Sequence, residues 1–573
     1  MIKKTTIMIL LVFSAGIVFG ASSSKLVKDV VKMLEAGNIA QAESVIDSAL
    51  AVSPEDHRLL IAKGNILDIK EDYTGALNYF EQALVQKSKD SDALYGAGMA
   101  ALKTDQAEKA LEYFERGIDR GKRKGDFLYG KALAQKELGL LADADATIRK
   151  AISKDKENVT LIRALGDINY AKEVWSIALT QYNKVLEKDP SQTDLFYKIA
   201  RANFYSKQFT ESVKYYKEYL KLHESDIEAW HELATICTHA NLPAEAIYCF
   251  TKLTELKPEN GNNWYTLGDL QFGIRDYEAS GVSLEKTLEF SAAIGDSLVA
   301  ESYKKLAKIY NVNKKYFKAD SAYTRFEQAL GAPEDPVYWF EKGKVMIKIG
   351  QKDVAFFDRA IESFGKAIEL DSTDAYHWEY AALSRYYKQD YSGAIPFFLN
   401  RIEIGGENVN SLRNLAFCYI KTEKYELAAS TLEKAIVLKP EDAIMRQMIG
   451  RIYGFLGSGT EEKANKHLPN SIKHYKVALK DTTGALSSAD ICKMKGNIGM
   501  YYVTLRDPKN AQTYLLKAVK CSPKDIDYLY NLAMAYFLDN DCDNTLEYSG
   551  QVRDLTEDEH KPARELYFRC KKR

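Results

Sequence analysis

The chain has 573 residues, more than one ordinary core accommodates, so it requires several domains or a quasi-linear array. Its 79 Lys and Arg nearly cancel 80 Asp and Glu, for a formal charge of −1, without the basic surplus of a nucleic-acid binder. Seven cysteines with no close CxxC pair do not make a dense disulfide scaffold, and their odd number leaves at least one thiol unpaired within a monomer.

Residues 1–20 read as an export signal. Lys3 and Lys4 supply the positive start, Ile7 to Phe19 the apolar run, and Val18-Phe19-Gly20 the modest side chains before a cut. That run has 13 residues, whereas a helix needs about 20 to cross a bilayer. No cysteine lies near the cut, so a lipid anchor is not supported. The mature chain is expected outside the cytoplasm, in a periplasm or similar compartment, with no membrane span after cleavage.

Past the signal the chain falls into register. Ala42, Ala76, Ala110, Ala144, Ala178, Ser212, Ala246 and Ser280 follow one another at a step of 34 residues. Ala319, Ala360, Ala394, Ala428, Ser471, Ala511 and Thr545 continue the series with some longer steps, which makes fifteen units. A fixed period of this length marks stacked helical repeats. The predicted fold is all-α: a solenoid of about fifteen helix-turn-helix hairpins. Units 1–8 occupy 21–290 in strict register, units 9–15 occupy 291–556 with insertions, and 557–573 forms a cap.

The first unit runs from Ser23 to Asp56, with its turn at Gly37 to Ala42 and Pro54 closing the second helix. With the register residue counted as position 20, position 8 is small as well: Gly64, Gly98, Ala132, Gly166, Ala200 and Ala234 in units 2–7. Small residues at both places let antiparallel helices approach; larger ones would cost about 1–3 kcal/mol per site. Position 24 is often aromatic, as at Phe80, Phe114, Tyr182, Tyr216, Phe250 and Tyr475. Position 4 carries Trp230, Trp264, Trp339 and Trp378. Pro190, Pro258, Pro440 and Pro523 end later second helices. Cys237 and Cys249 fall in one hairpin and could bridge it, or serve as buried apolar fillers with the other cysteines. After Ser280 come insertions near Phe290–Ser297 and Gln351–Phe357, a long polar connection at Gly454–Asn470, and a stretched link at Thr482–Asp490. The last unit is degenerate, and Glu557–Arg573 reads as a capping helix with Leu566, Tyr567 and Phe568 inward.

This set of positions resembles the tetratricopeptide repeat family. Trp230, Leu233, Ala234, Ala246, Phe250 and Pro258 match its pattern in one unit, and Leu412, Leu415, Ala416, Tyr419, Tyr425, Ala428, Ala435 and Pro440 in another. The resemblance implies a right-handed superhelix whose first helices line a groove for protein or peptide partners. Carried over residue by residue, the groove is Arg163, Asp167 and Tyr170, then Tyr197, Arg201, Phe204 and Tyr205, then His231, Thr235 and His239. Tyr265, Asp269 and Phe272 follow, then Lys304 and Lys308, then Phe340 and Lys344, and finally Glu379, Tyr386 and Tyr387. No three consecutive units complete the set with which some relatives clamp a C-terminal carboxylate.

Enzymatic motifs fail on spacing. His231-Glu232 with His239 lacks the second histidine four residues on, where Thr235 stands, although a metal site there is conceivable. Gly454–Thr460 lacks a P-loop lysine, since Glu461 follows. No carboxylate pair stands out for acid/base work, and no catalytic residue, resident metal or cofactor is expected. The reading is a protein-binding scaffold of the cell envelope, joining subunits of an envelope complex, with no nucleic-acid partner. The alternatives are a component of polysaccharide export or envelope secretion, and a metal-dependent enzyme resting on the histidine pair.

Overall fold

The computed structural model describes residues 22–118, 123–481 and 483–572; the export segment lies outside them. Among the described residues there are thirty-one α-helices and no strand. They form two compact bodies that divide between Asp276 and Tyr277, inside unit 8 and before the change of register after residue 290. The first body holds units 1–7 and the first helix of unit 8, Gly261–Gly273. The second holds Tyr277–Glu289, units 9–15 and a terminal helix, Lys561–Lys571.

Within each body the hairpins close as the register requires. All fifteen register residues, from Ala42 to Thr545, are fully buried. At two of the serine register residues the hydroxyl finds an acceptor across the hairpin: Ser212 donates to the Ala200 carbonyl at 2.8 Å and Ser471 to that of Gly450 at 2.6 Å. The acceptor residue is position 8 in both units, so the two small sites lie back to back. Position 8 is small because the ring at position 24 lies over it. A Cβ on Gly64 would stand 2.7 Å from Phe80, one on Gly98 2.6 Å from Phe114, and one on Gly166 2.7 Å from Tyr182.

The tryptophans at position 4 fasten successive units. Each indole N–H donates to a linker carbonyl six residues earlier: Trp230 to Glu224 at 2.9 Å, Trp264 to Pro258, Trp339 to Pro333, and Trp378 to Ser372. At most linkers an aspartate or asparagine caps the next first helix. Asp226 accepts from the Ala229 N–H at 3.0 Å, and Asn158 from Thr160 and Leu161.

The turn inside most hairpins uses one left-handed residue. It is glycine at Gly37 and Gly139, but Glu71, Glu173, Lys207, Asn241 and Glu423 hold the same place at φ between 54° and 61°. At Lys207 the N–H reaches the Phe204 carbonyl and the Gln208 N–H the Asn203 carbonyl, both at 2.8 Å, which satisfies the helix end. A side chain in that conformation carries a steric penalty that glycine lacks. Lys207→Gly is therefore expected to stabilise the first body by about 0.5–1 kcal/mol, after glycine's extra chain entropy is counted. A lowered urea midpoint would contradict the account.

Two expectations are corrected. Gly454–Asn470 is not a long connection: helix Ala443–Leu456 ends there, and Glu461–Ala478 begins after four residues. Thr460 caps it, and Ala464, Leu468, Ser471 and Tyr475 give the inserted stretch a buried helical stripe. The terminal helix turns Ala563, Leu566 and Cys570 inward, while Phe568 is 44% exposed. Three consecutive helical residues cannot share one face, because each step rotates about 100°. Of the two readings offered for Cys237 and Cys249, the structure has the buried free thiols, and a disulfide that the spacing did not suggest joins Cys542 to Cys570.

Candidate groove on the first helices

The first helices of units 5, 6 and 7 are Val159–Ala171, Leu195–Tyr205 and Ile227–His239. Residues four apart on each share a face, which puts Tyr197 with Arg201 and Tyr205, and His231 with Thr235. Arg201 is the centre of this surface. Its guanidinium lies 5.7 Å from the Tyr197 ring centroid and 6.0 Å from that of Tyr205, and its Nε is 3.5 Å from Glu232 Oε1. Tyr205 stacks on Trp175 at 4.9 Å, and Tyr170 meets Trp175 edge-on at 5.3 Å.

Glu232 is set by the hairpin behind it. The fully buried ring of Tyr216 extends its hydroxyl to Glu232 Oε2 at 2.6 Å, leaving Oε1 toward Arg201. Burial, then the neighbouring Glu232 carboxylate, raises the Tyr216 and Tyr197 phenols above their ordinary range, so both stay protonated. Burial by itself would lower Arg201, but Tyr205, Tyr170, Glu232 and Tyr197 outweigh it and hold the guanidinium above its usual value. Burial and then Lys257 push His231 below its ordinary value, so it is neutral at pH 7. A pocket of 220 Å³ opens among Arg201, Phe204, Tyr205, Glu228, His231, Glu232 and Thr235.

The remaining expected groove residues lie outside this pocket's lining. Arg163 pairs with Asp194 and Gln192 on the approach to the next unit. Asp167 accepts from Tyr182 at 2.8 Å and Lys198 at 2.7 Å, so both residues serve to join units 5 and 6. His239 ends its helix, outside the pocket's lining, and Tyr265, Asp269 and Phe272 follow on Gly261–Gly273. In the second body Lys304 lies 5.9 Å from the Phe326 ring, on the same helix as Lys308. Lys344 pairs with Glu341 at 2.9 Å, and Phe340 packs 5.1 Å from Tyr380. Glu379 pairs with Arg401 at 3.2 Å. Tyr386 meets Phe417 at 5.4 Å, and Tyr387 stacks on Phe357 at 6.1 Å.

Glu232 and Trp175 are the residues the sequence reading left out. Glu232 lies one place off the expected stripe, and its signal is the tyrosine at position 24 of the preceding unit. A wider trough of 850 Å³ lies on the second-helix side of units 6 and 7, with Trp230, Tyr248 and Leu256 in its lining. Its charged rim is already paired, Lys217 with Glu245 at 3.7 Å and Lys252 with Glu255 at 2.6 Å, so it offers a partner less than Arg201 does. Among the described residues no group of three or more His, Cys, Asp and Glu is placed to hold a metal ion, and no helix is long and apolar enough to cross a membrane.

Two models of the tetratricopeptide repeat match the chain, one at residues 34–93, 70–126 and 95–159, the other at 410–442 and 493–525. A curated Drosophila melanogaster protein, the BBSome complex member BBS4 homolog, is 22% identical over 274 residues, covering 45% of this chain and 51% of that protein. The chain thus spans about half the length of that relative. Among solved structures, Pseudomonas aeruginosa pilF is 14% identical with a TM-score of 0.34, covering 37% of this chain and 97% of that one. YrrB, described as a TPR protein with an unusual peptide-binding site, is 21% identical with a TM-score of 0.28, covering 33% and 96%. The APC/C hetero-tetramer Cut9-Hcn1 gives 15%, 0.26, and 98% of both chains. The repeat register, the buried small-residue pairs of its hairpins and the two family models agree: the chain carries tetratricopeptide repeats.

Proposed function

We propose that this chain is a protein-binding scaffold that grips an extended segment of a partner across the first helices of units 5–7. The observation that carries the reading is Arg201, a guanidinium held between tyrosine rings and a fixed carboxylate at the edge of an open pocket. Its planar fork of N–H donors is only partly used by Glu232 and Tyr205, so it can donate to a carboxylate or backbone carbonyl of the partner. Tyr205 and Trp175 beside it offer stacked rings for an apolar side chain, the combination that dominates binding hot spots.

We read the scaffold as exported, joining subunits of a complex in the cell envelope. Lys3, Lys4 and the apolar run to Phe19 support export, as does the Cys542–Cys570 bridge, a bond that persists in oxidising compartments.

In-cell crosslinking followed by mass spectrometry tests both parts. Arg201→Ala combined with Tyr205→Ala is expected to cut partner recovery by about tenfold or more, as truncating a hot spot does, with an unchanged far-UV spectrum. Arg201→Lys should restore only part, because an ammonium lacks the fork. Undiminished recovery from the double variant would remove this groove from consideration. Crosslinked complexes confined to the cytoplasmic fraction would remove the export half.

A further inference from the structure

The second body carries a feature that the groove does not use. The turn between helices Asp296–Val312 and Tyr316–Leu330 and the end of helix Pro336–Gly350 enclose a cavity of 190 Å³. Lys314, Lys315, Lys318, Lys348 and Lys352 surround it, with Tyr316, Phe317 and the buried Ile349 as its apolar lining. Three other lysines of the second body are answered by acids, Lys342 by Glu327, Lys344 by Glu341 and Lys388 by Asp358. Among the described residues no carboxylate lies within ion-pairing distance of any of these five. Phe317 is 57% exposed beside them, touching Phe356 edge-on at 5.8 Å.

Five like charges around one cavity repel each other and leave a local positive potential on a chain whose net charge is close to zero. We infer that this turn edge of units 9 and 10 is a docking site for an acidic, extended segment of a partner protein, with one aromatic or aliphatic side chain seated between its carboxylates. The geometry favours a peptide. Packed helices stand about 8–10 Å apart, and an extended strand advances about 3.3 Å per residue, so acids about three residues apart meet the lysines of successive units. The apolar pocket between the two turns has room for a single side chain, whereas a flat anionic surface would bridge it. Lysines, as point charges without a fixed fork, suit carboxylates that approach from varied angles. The site belongs to the second body and the Arg201 pocket to the first, and the two do not depend on each other.

The test uses the full mature chain and a fluorescein-labelled peptide alternating glutamate pairs with phenylalanine, followed by anisotropy at low and high salt. Binding should weaken as salt rises, and a glutamine version of the peptide should not bind. Lys315→Gln with Lys348→Gln and Lys352→Gln should weaken binding by about tenfold, the sum expected of three exposed pairs. Phe317→Ser should weaken it too, at unchanged salt dependence. A control with the same change of charge, Lys207→Gln with Lys214→Gln and Lys221→Gln, should bind as the parent does. Equal loss in the control, no loss in the triple variant, or no binding of the glutamate peptide at low salt would each overturn the proposal. So would lysine-dependent binding to phosphatidylglycerol vesicles or to inorganic phosphate without binding of the peptide.

Discussion

Phe114→Ala is expected to destabilise the first body by about 3–5 kcal/mol, the upper range for emptying a buried aromatic site. The ring is fully buried between two glycines, and neither has a side chain with which to fill the space. A Cβ on Gly98, from the same unit, would stand 2.6 Å from it; one on Gly130, from the next, would stand 2.3 Å away. Gly130→Ala alone should therefore cost about 1–3 kcal/mol, because the ring is held from the other side and cannot retreat. In the Phe114→Ala background the same change should cost little or become favourable. That double-mutant cycle isolates the contact, and additive effects of the two changes would refute the socket. Urea unfolding gives the magnitude, and hydrogen exchange in Ser91–Lys103 and Ala107–Ile118 shows whether the loss begins there.

Breaking the Cys542–Cys570 bridge should have an effect of similar size at the other end of the chain. The cysteines are 28 residues apart, and closing a loop of that length is worth about 3.5 kcal/mol in the chain-entropy account. The tether matters because the terminal helix buries only Ala563, Leu566 and Cys570. Cys542→Ala with Cys570→Ala, or reduction of the parent, should speed amide exchange in Cys542–Leu555 and Lys561–Lys571 and leave helices of the first body unchanged. Alkylation of the denatured, unreduced protein should label the five remaining cysteines. Seven labels, or unaltered exchange after reduction, would contradict the structure's pairing.

The residues that carried the fold in the sequence share one property: their neighbours lie inside their own repeat. Ala42 through Thr545 and the position-8 glycines face each other within one hairpin, so a fixed offset along the chain is also a fixed contact in space. Trp230, Trp264, Trp339 and Trp378 reach just beyond their own repeat, but always to the linker six residues back. What the spacing hid depends on contacts between repeats or on backbone angles. Glu232 gains its place from Tyr216 in the preceding hairpin, and Arg163 and Asp167, expected to face a partner, are taken up in joining two units. The left-handed turns at Glu71, Glu173 and Lys207 carry no glycine to announce them. Cys542 and Cys570 come together only because two helices run antiparallel at the end of the array.

The ring at position 24 has a consequence for how such a chain can lengthen. Phe80 rests on Gly64 of its own unit and on Gly96 of the following one, whereas Tyr216 needs Glu232 of the following unit to receive its hydroxyl. A newly copied module therefore brings half of its own seat and must borrow the other half from whatever comes after it. Tyr182 is exempt, since its hydroxyl finds Asp167 within its own unit, but a ring seated like Phe80 or Tyr216 needs a following module that matches it. A join between a phenylalanine module and a tyrosine module has to be mended, by a second substitution, before it can hold.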